Sequence, residues 1–366
     1  MSIKFNPHFT ITIRIASYLT RIETSKEKVL HLPITPSVLA SLRETARLYT
    51  THYSTMIEGN RLEPEQIQQV LSNKEYYTGR EREEDEVKGY YAALKQIEEW
   101  SIKKTPITES LIQKLHALVM SGGRTKIKAT PYRDGQNAIR DSRTKNLVYM
   151  PPEAKDVSML MKEMVHWVST NKELPPPIKA AIIHYQFATI HPYYDGNGRT
   201  ARLLTTLVLH LGGYDLKGLY SLEEYYARNL GAYYDAISVG PSHNYYRGRA
   251  ESDITPWIEY FLEGMAIAFE SVMKQMKTAK KKGAKDQSDL LLRKLDPKQR
   301  KVLDLFQAFE TITAKQIGDC LGVKPRTSAK LCQDWVRVGF LTIADFSNKA
   351  RKYRLAKKFS DLLQEK

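Results

Sequence analysis

Apolar residues recur along most of this chain at intervals of three and four, the spacing of one face of an α-helix. Leu39, Leu42, Ala46, Tyr49 and Tyr53 make one stripe; Leu111, Leu115, Leu118 and Val119 make another. The first belongs to a long helix that starts near Pro36 and closes around Glu58-Gly59-Asn60. Alternating, strand-like runs are short and few, so the pattern predicts a mainly α body. The stretch 132–149 departs from it: rich in Gly, Asn, Asp and Arg, it closes on Leu147-Val148-Tyr149 and reads as a β-hairpin stopped by Pro151-Pro152. An apolar helix then ends near Ile190, stopped by Pro192, and another runs from about Gly198 to Leu211, ended by Gly212-Gly213.

Later the pattern changes. The segment 278–289 (TAKKKGAKDQSD) is Lys-rich with no apolar stripe, a linker or an exposed helix end. Beyond it the periodicity predicts helices over 297–309, 313–321 and 325–338, with Gly322 as a C-cap, then a two-stranded wing over 341–355. That order is a winged helix-turn-helix. The expected organisation is an N-terminal helical region (1–110, its long helix at about 36–59), a helical core (111–270), a basic linker (271–289) and a winged helix domain (290–366).

The chain has 366 residues, 42% of them hydrophobic, enough for more than one buried core. No apolar run approaches the roughly 18 residues of a membrane span. Lys4, Pro7, Thr10 and Arg14 break up the start, so no signal peptide or anchor is expected there, and a cytoplasmic protein is. Cys320 and Cys332, twelve apart, fit neither a disulfide framework nor the paired spacing of a zinc site, and read as reduced thiols. The net charge of +15 points to an anionic partner, nucleotide or nucleic acid. From Glu270 onward there are 23 Lys and Arg against 11 Asp and Glu, so most of the excess lies in the last quarter.

The candidate chemistry concentrates in HPYYDGNGRTAR, His191 to Arg202. A helix start leaves unpaired N–H groups and a partial positive charge, and Gly196 and Gly198 carry no side chain to keep a phosphate away. Arg199 and Arg202, three apart, share a helix face and can grip further phosphates, so a triphosphate fits better than a monophosphate. Asp195 offers a hard oxygen to Mg²⁺, which commonly binds through one or two carboxylates plus substrate phosphates. His191 titrates near neutrality and suits a general base for a hydroxyl nucleophile. His184, seven residues earlier, shares its helix face and reads as a packed core histidine or, less simply, as a metal ligand.

This segment resembles the signature of the Fic family, HPFx[DE]GNGRxxR, with Tyr193 where Phe is usual. That substitution adds a phenol that needs a partner if buried. The resemblance covers about 32–269 and implies a Fic helical core with a β-hairpin flap. It further implies His191 as base, Asp195 holding Mg²⁺, Gly196, Asn197 and Gly198 on the α- and β-phosphates of ATP, and Arg199 and Arg202 on the β- and γ-phosphates. Upstream, Ser54 and Glu58 stand four apart on one helix face, with Gly59 as a natural C′ residue. They match the inhibitory motif [ST]xxxE[GN], which implies that Glu58 pairs with Arg202 and blocks the γ-phosphate. The alternatives are an exposed Glu58 and a Ser54 bonded back to its own helix. The hairpin over 132–149 corresponds to the flap that docks a protein substrate by strand pairing, or is a structural hairpin. Family members place adenine near the tyrosine run Tyr214 to Tyr234, most of which reads as core. Homodimers are common in the family; no stripe in this sequence marks one.

The reading is an autoinhibited protein adenylyltransferase moving AMP from ATP to a Tyr, Thr or Ser hydroxyl of a target or of itself. Its rivals are removal of AMP or transfer of another nucleotide at the same site, and a DNA-binding regulator whose Fic core senses ATP. Lys324, Arg326, Thr327, Ser328 and Lys330 open the recognition helix; Lys349, Arg351, Lys352 and Arg354 lie on the wing. Placed so, they would meet DNA or, equally, a protein.

Overall fold

A computed structural model describes residues 5–32, 34, 36–124, 126–140, 144–240, 242–282, 295–345, 347, 351–357 and 359–360. It divides into two compact units: Met1–Ser25 with Thr45–Ser271, and Lys26–Glu44 with Val272–Lys366.

The first unit is helical, and its centre is legible in one segment. Helix α7 (Pro176–Ile190) is apolar on nearly every side, with Ile178, Ile182, Ile183, Phe187 and Ile190 all buried. Such a helix has no solvent face and must be surrounded. Each of those side chains contributes about 1.5–3 kcal/mol by leaving water. Helix α8 (Asn197–Leu211) packs along α7 and is itself flanked by α4 (Glu81–Ile102) and α5 (Glu109–Val119), while α6 (Ala154–Thr170) covers α7. Trp257, in α11 (Thr255–Lys282), is wholly buried and donates to the Ala181 carbonyl at 2.7 Å. The remaining helices are α1 (Ile13–Leu30), α2 (Pro36–Ile57), α3 (Pro64–Leu71), α9 (Leu222–Arg228) and α10 (Leu230–Ile237).

The expected hairpin is much reduced. Strands β1 (Ile139–Arg140) and β2 (Leu147–Tyr149) pair antiparallel, Ile139 opposite Tyr149, and the rest of 132–149 is described loop, apart from 141–143, which lie outside the described residues.

The second unit has its own core, built on Val302, Phe306, Ile317, Trp335, Phe340 and Tyr353. Asp296 and Gln299 form a capping box at the start of α12 (Pro297–Leu303). The helix expected over 297–309 is divided at Asp304, with α13 (Leu305–Ala308) following. Thr313 and Gln316 cap α14 (Ala314–Leu321), Gly322 ends it at φ 67°, and α15 (Pro325–Arg337) begins on its proline. Strands β4 (Leu341–Asp345) and β5 (Lys352–Leu355) form the hairpin, and a strand the sequence did not reveal, β3 (Ile312–Thr313), adds to β5.

The expected boundaries differ from these units at both ends. Residues 26–44, placed with the N-terminal region by sequence, belong to the second unit, where Arg300 donates to the His31 carbonyl and Arg43 to Gln307 Oε1. The first part of the expected linker continues α11 as far as Lys282, and 283–289 lie outside the described residues. Among the described residues, Cys320 and Cys332 form no disulfide. Among the described residues, no helix is long and apolar enough to cross a membrane.

Candidate active site

The site is a turn between two buried helices. At the end of α7, His191 adopts a left-handed conformation, φ 50° and ψ 60°, immediately before Pro192. A non-glycine residue there carries backbone strain of about 1–3 kcal/mol, tolerated only where surrounding contacts fix it. Those contacts come from Arg133: its Nε donates to the His191 carbonyl at 3.0 Å, its backbone N–H to the Pro192 carbonyl at 2.9 Å, and its guanidinium also reaches the carbonyl of Pro152. His191 Nδ1 lies 3.4 Å from the Ala188 carbonyl. A carbonyl only accepts, so Nδ1 carries the proton and Nε2 keeps a free lone pair. Burial lowers the His191 pKa to about 4, which keeps the ring neutral at physiological pH.

Gly196 follows at φ 74°, its N–H bonded to Asp195 Oδ1 at 2.6 Å, and α8 starts at Asn197. Asn197 departs from its expected use. Its Oδ1 accepts from the Tyr193 N–H at 3.0 Å and its Nδ2 donates to the Tyr193 carbonyl at 2.7 Å, so the side chain clamps the loop. What Asn197 offers an anion is its main-chain N–H, beside those of Gly198 and Arg199 in the first turn. Asp195 is half exposed (53%), near Arg199 Nη2 at 3.4 Å and Arg82 Nη2 at 3.6 Å. Arg199 is buried, with Glu86 3.9 Å from its Nη1 and its Nε unpartnered among the described residues. Among those residues no group of three or more His, Cys, Asp or Glu gathers as a metal cage. A single accessible carboxylate at the mouth of an amide cradle still suits Mg²⁺, whose remaining ligands are phosphate and water.

Arg202 is buried and held by α2 and the residue that follows it. It is 1% exposed; its Nε donates to Ser54 Oγ at 2.8 Å, and its Nη2 to the Ser54 carbonyl at 2.9 Å and to Glu58 Oε1 at 2.8 Å. Burial lowers its pKa, but the Glu58 carboxylate more than compensates and holds it above its ordinary value. Glu58 is one-third exposed (33%) and stands over the start of α8: a Cβ built on Gly198 would collide with its Oε1. The carboxylate therefore occupies the space that the missing glycine side chain leaves open.

His184 is a core residue. It is fully buried, with Thr205 Oγ1 and Tyr233 Oη each 3.0 Å from its ring nitrogens, and burial lowers its pKa to about 3. Tyr193 is also buried, and its hydroxyl has no partner among the described residues. Of the tyrosine run, Tyr214, Tyr226 and Tyr233 are buried and Tyr220 and Tyr225 half-buried; Tyr234 is exposed, its hydroxyl 3.4 Å from the Ile57 carbonyl beside Glu58.

Sequence reasoning did not single out Arg133, Arg82 or Glu86, nor His116, whose ring lies against Tyr193. Tyr194 Oη bonds Asp134 Oδ1 and the Gly135 N–H, both at 2.7 Å, and so fastens the start of the hairpin segment to the motif. The aromatic and basic letters around 132–135 were the available signal.

The model of the Fic/DOC family matches residues 106–209. The protein adenylyltransferase Fic of Drosophila virilis is 32% identical over 181 residues, 49% of this chain and 36% of that protein. Its counterpart in Nematostella vectensis is 30% identical over 200 residues, 54% of this chain and 45% of that protein. The chain thus spans less than half the length of these curated relatives. The crystal structure of a Fic family protein from Desulfovibrio desulfuricans G20 superposes with a TM-score of 0.62 at 22% identity, over 96% of this chain and 99% of that one. Fic-1 (residues 134–508) of C. elegans gives a TM-score of 0.56 at 24% identity, over 72% and 73%. Residues 106–209 are thus similar to the Fic/DOC domain, and the fold around them is that of solved Fic structures.

Proposed function

We propose that the protein is an autoinhibited adenylyltransferase that moves AMP from ATP to a hydroxyl of a protein. The observation that carries this reading is His191 at the turn into a glycine-opened helix start that holds two buried arginines. In this scheme the N–H groups of Asn197, Gly198 and Arg199 hold α- and β-phosphate oxygens, and Arg199 and, once freed, Arg202 hold the terminal phosphates. His191 Nε2 takes the proton of the target hydroxyl as its oxygen bonds to the α-phosphorus; the bond to the bridging oxygen breaks and pyrophosphate leaves. Asp195 would hold Mg²⁺, which neutralises charge on the phosphates. The strand pair β1–β2 presents the target segment, with Arg133 linking that region to the His191 carbonyl. While Glu58 holds Arg202, the γ-phosphate cannot seat. The sequence similarity to proteins named adenylyltransferase supports this choice. The test is the fate of label: α-labelled ATP should mark protein and γ-labelled ATP should not, and the reverse pattern would identify a kinase-type transfer.

A second reading concerns the C-terminal unit as a winged helix that binds duplex DNA. Lys324 at the N-cap of α15 and Arg326, Thr327 and Lys330 on it lie exposed, as do Lys352 and Arg354 on β5; Ser328 is buried, and Lys349 is outside the described residues. Binding measured against salt tests it: Lys330→Ala should reduce the slope of log affinity on log salt by about 1 if that side chain meets a phosphate.

A further inference from the structure

We propose that His116 is a positioning residue of the nucleotide site, holding the Asp195-Gly196 turn so that the Asp195 carboxylate and the α8 amides face one cradle. The inference rests on the nucleotide reading of that cradle. His116 Nε2 lies 2.9 Å from the Asp195 carbonyl oxygen. That oxygen can only accept, so Nε2 bears the ring proton and donates it. The ring lies nearly flat on Tyr193, with centroids 3.6 Å apart and planes at 16°. Stack and hydrogen bond together fix both its tilt and its rotation. The other nitrogen, Nδ1, is buried with no partner among the described residues. An unpaired buried acceptor carries a desolvation penalty that an apolar side chain of similar size would avoid. The ring therefore does something other than fill space.

What it does follows from the loop it supports. His116 and Met120 lie four apart on one face of α5 and approach the turn closely: a Cβ on Gly196 would meet Met120 Sδ at 2.8 Å and His116 Nε2 at 3.2 Å. The same turn carries three linked groups. The Asp195 carbonyl is held by His116, and its Oδ1 accepts from the Gly196 N–H at 2.6 Å, one residue before α8 begins. Releasing the carbonyl lets the peptide between Asp195 and Gly196 rotate, and the carboxylate turns with it. His116 thus acts on Mg²⁺ through Asp195 and touches neither metal nor substrate.

The experiment uses the full chain carrying Glu58→Gly, and compares His116→Leu with His116→Gln, whose amide N–H can reach where Nε2 does. Calorimetry gives the Mg²⁺ concentration for half-maximal ATP binding. His116→Leu should raise it about tenfold or more, the usual effect of removing a group that orients a metal ligand, and His116→Gln should recover most of the loss. Equal shifts in both variants, or none in His116→Leu, would overturn the inference. If His116→Leu does not fold, His116→Asn, whose amide is too short to reach, replaces it. Label transfer is followed in parallel. A protein that binds ATP and Mg²⁺ in this pattern yet transfers no AMP rejects the transferase reading and upholds the role of His116.

Discussion

Glu58 Oε1 accepts a hydrogen bond from Arg202 Nη2 at 2.8 Å while filling the space above Gly198. One carboxylate thereby neutralises the cation that would receive the terminal phosphate and covers the amides beside it. In the proposed scheme the inhibition has a steric part and an electrostatic part, and substitutions can separate them. Glu58→Gly removes both; Glu58→Gln keeps the volume and loses the charge. ATP affinity measured by calorimetry should rise from wild type to Glu58→Gln to Glu58→Gly. The full gain is expected at about tenfold or more, from a charge-assisted contact of about 1.5–3 kcal/mol. Equal affinity in all three would remove Glu58 from the site.

Ser54 anchors the same arginine from the preceding turn of α2, through its hydroxyl and its carbonyl. Ser54→Ala leaves the buried Nε of Arg202 without that partner. The cost should be about 1–3 kcal/mol in unfolding free energy by urea titration, together with higher basal transfer, because Arg202 is less firmly held toward α2.

The buried histidines make the fold acid-sensitive. Burial lowers the pKa of His116 and His191 to about 4 and that of His184 to about 3, against an ordinary value of 6.5. Between those values the unfolded chain binds more protons than the folded one. Their contribution is complete above pH 6.5 and is lost as pH falls toward 4, at up to about 1.4 kcal/mol per pH unit for each group. Melting temperatures should hence be flat in this respect from pH 7 to 8 and drop steeply below pH 6. A melting temperature unchanged down to pH 4.5 would contradict neutral burial of all three.

Tyr193 carries a hydroxyl that finds no partner in its pocket among the described residues. Tyr193→Phe should be neutral or stabilising, by up to about 1–3 kcal/mol, with the His116 stack retained and nucleotide binding unaltered. A marked loss of stability would show that the hydroxyl is satisfied, for instance by water.

The part of the site that lies in one stretch of chain was legible because its chemistry is local: helix start, glycines, arginines and histidine must follow one another closely to form a cradle. The Glu58–Arg202 pair was legible only through resemblance, since 144 residues separate the partners. His116 and Arg133 were not, because each acts on a backbone carbonyl far along the chain, and a carbonyl has no letter in the sequence. The resemblance implies Asn197 on phosphate, yet its amide offers a donor and an acceptor at once, and the nearby Tyr193 backbone uses both. In the fold, the apolar helix ending near Ile190 was legible from its run of apolar letters, whereas the allocation of residues 26–44 depends on tertiary contacts that periodicity does not encode.

The most direct test of the central claim is transfer of α-labelled ATP, with Mg²⁺, to protein by wild type, Glu58→Gly, His191→Ala and the double variant. Strong labelling by Glu58→Gly, weak labelling by wild type and none wherever His191 is lost is the expected result. Folded Glu58→Gly protein that binds ATP without labelling protein, or labelling that survives His191→Ala, would contradict it.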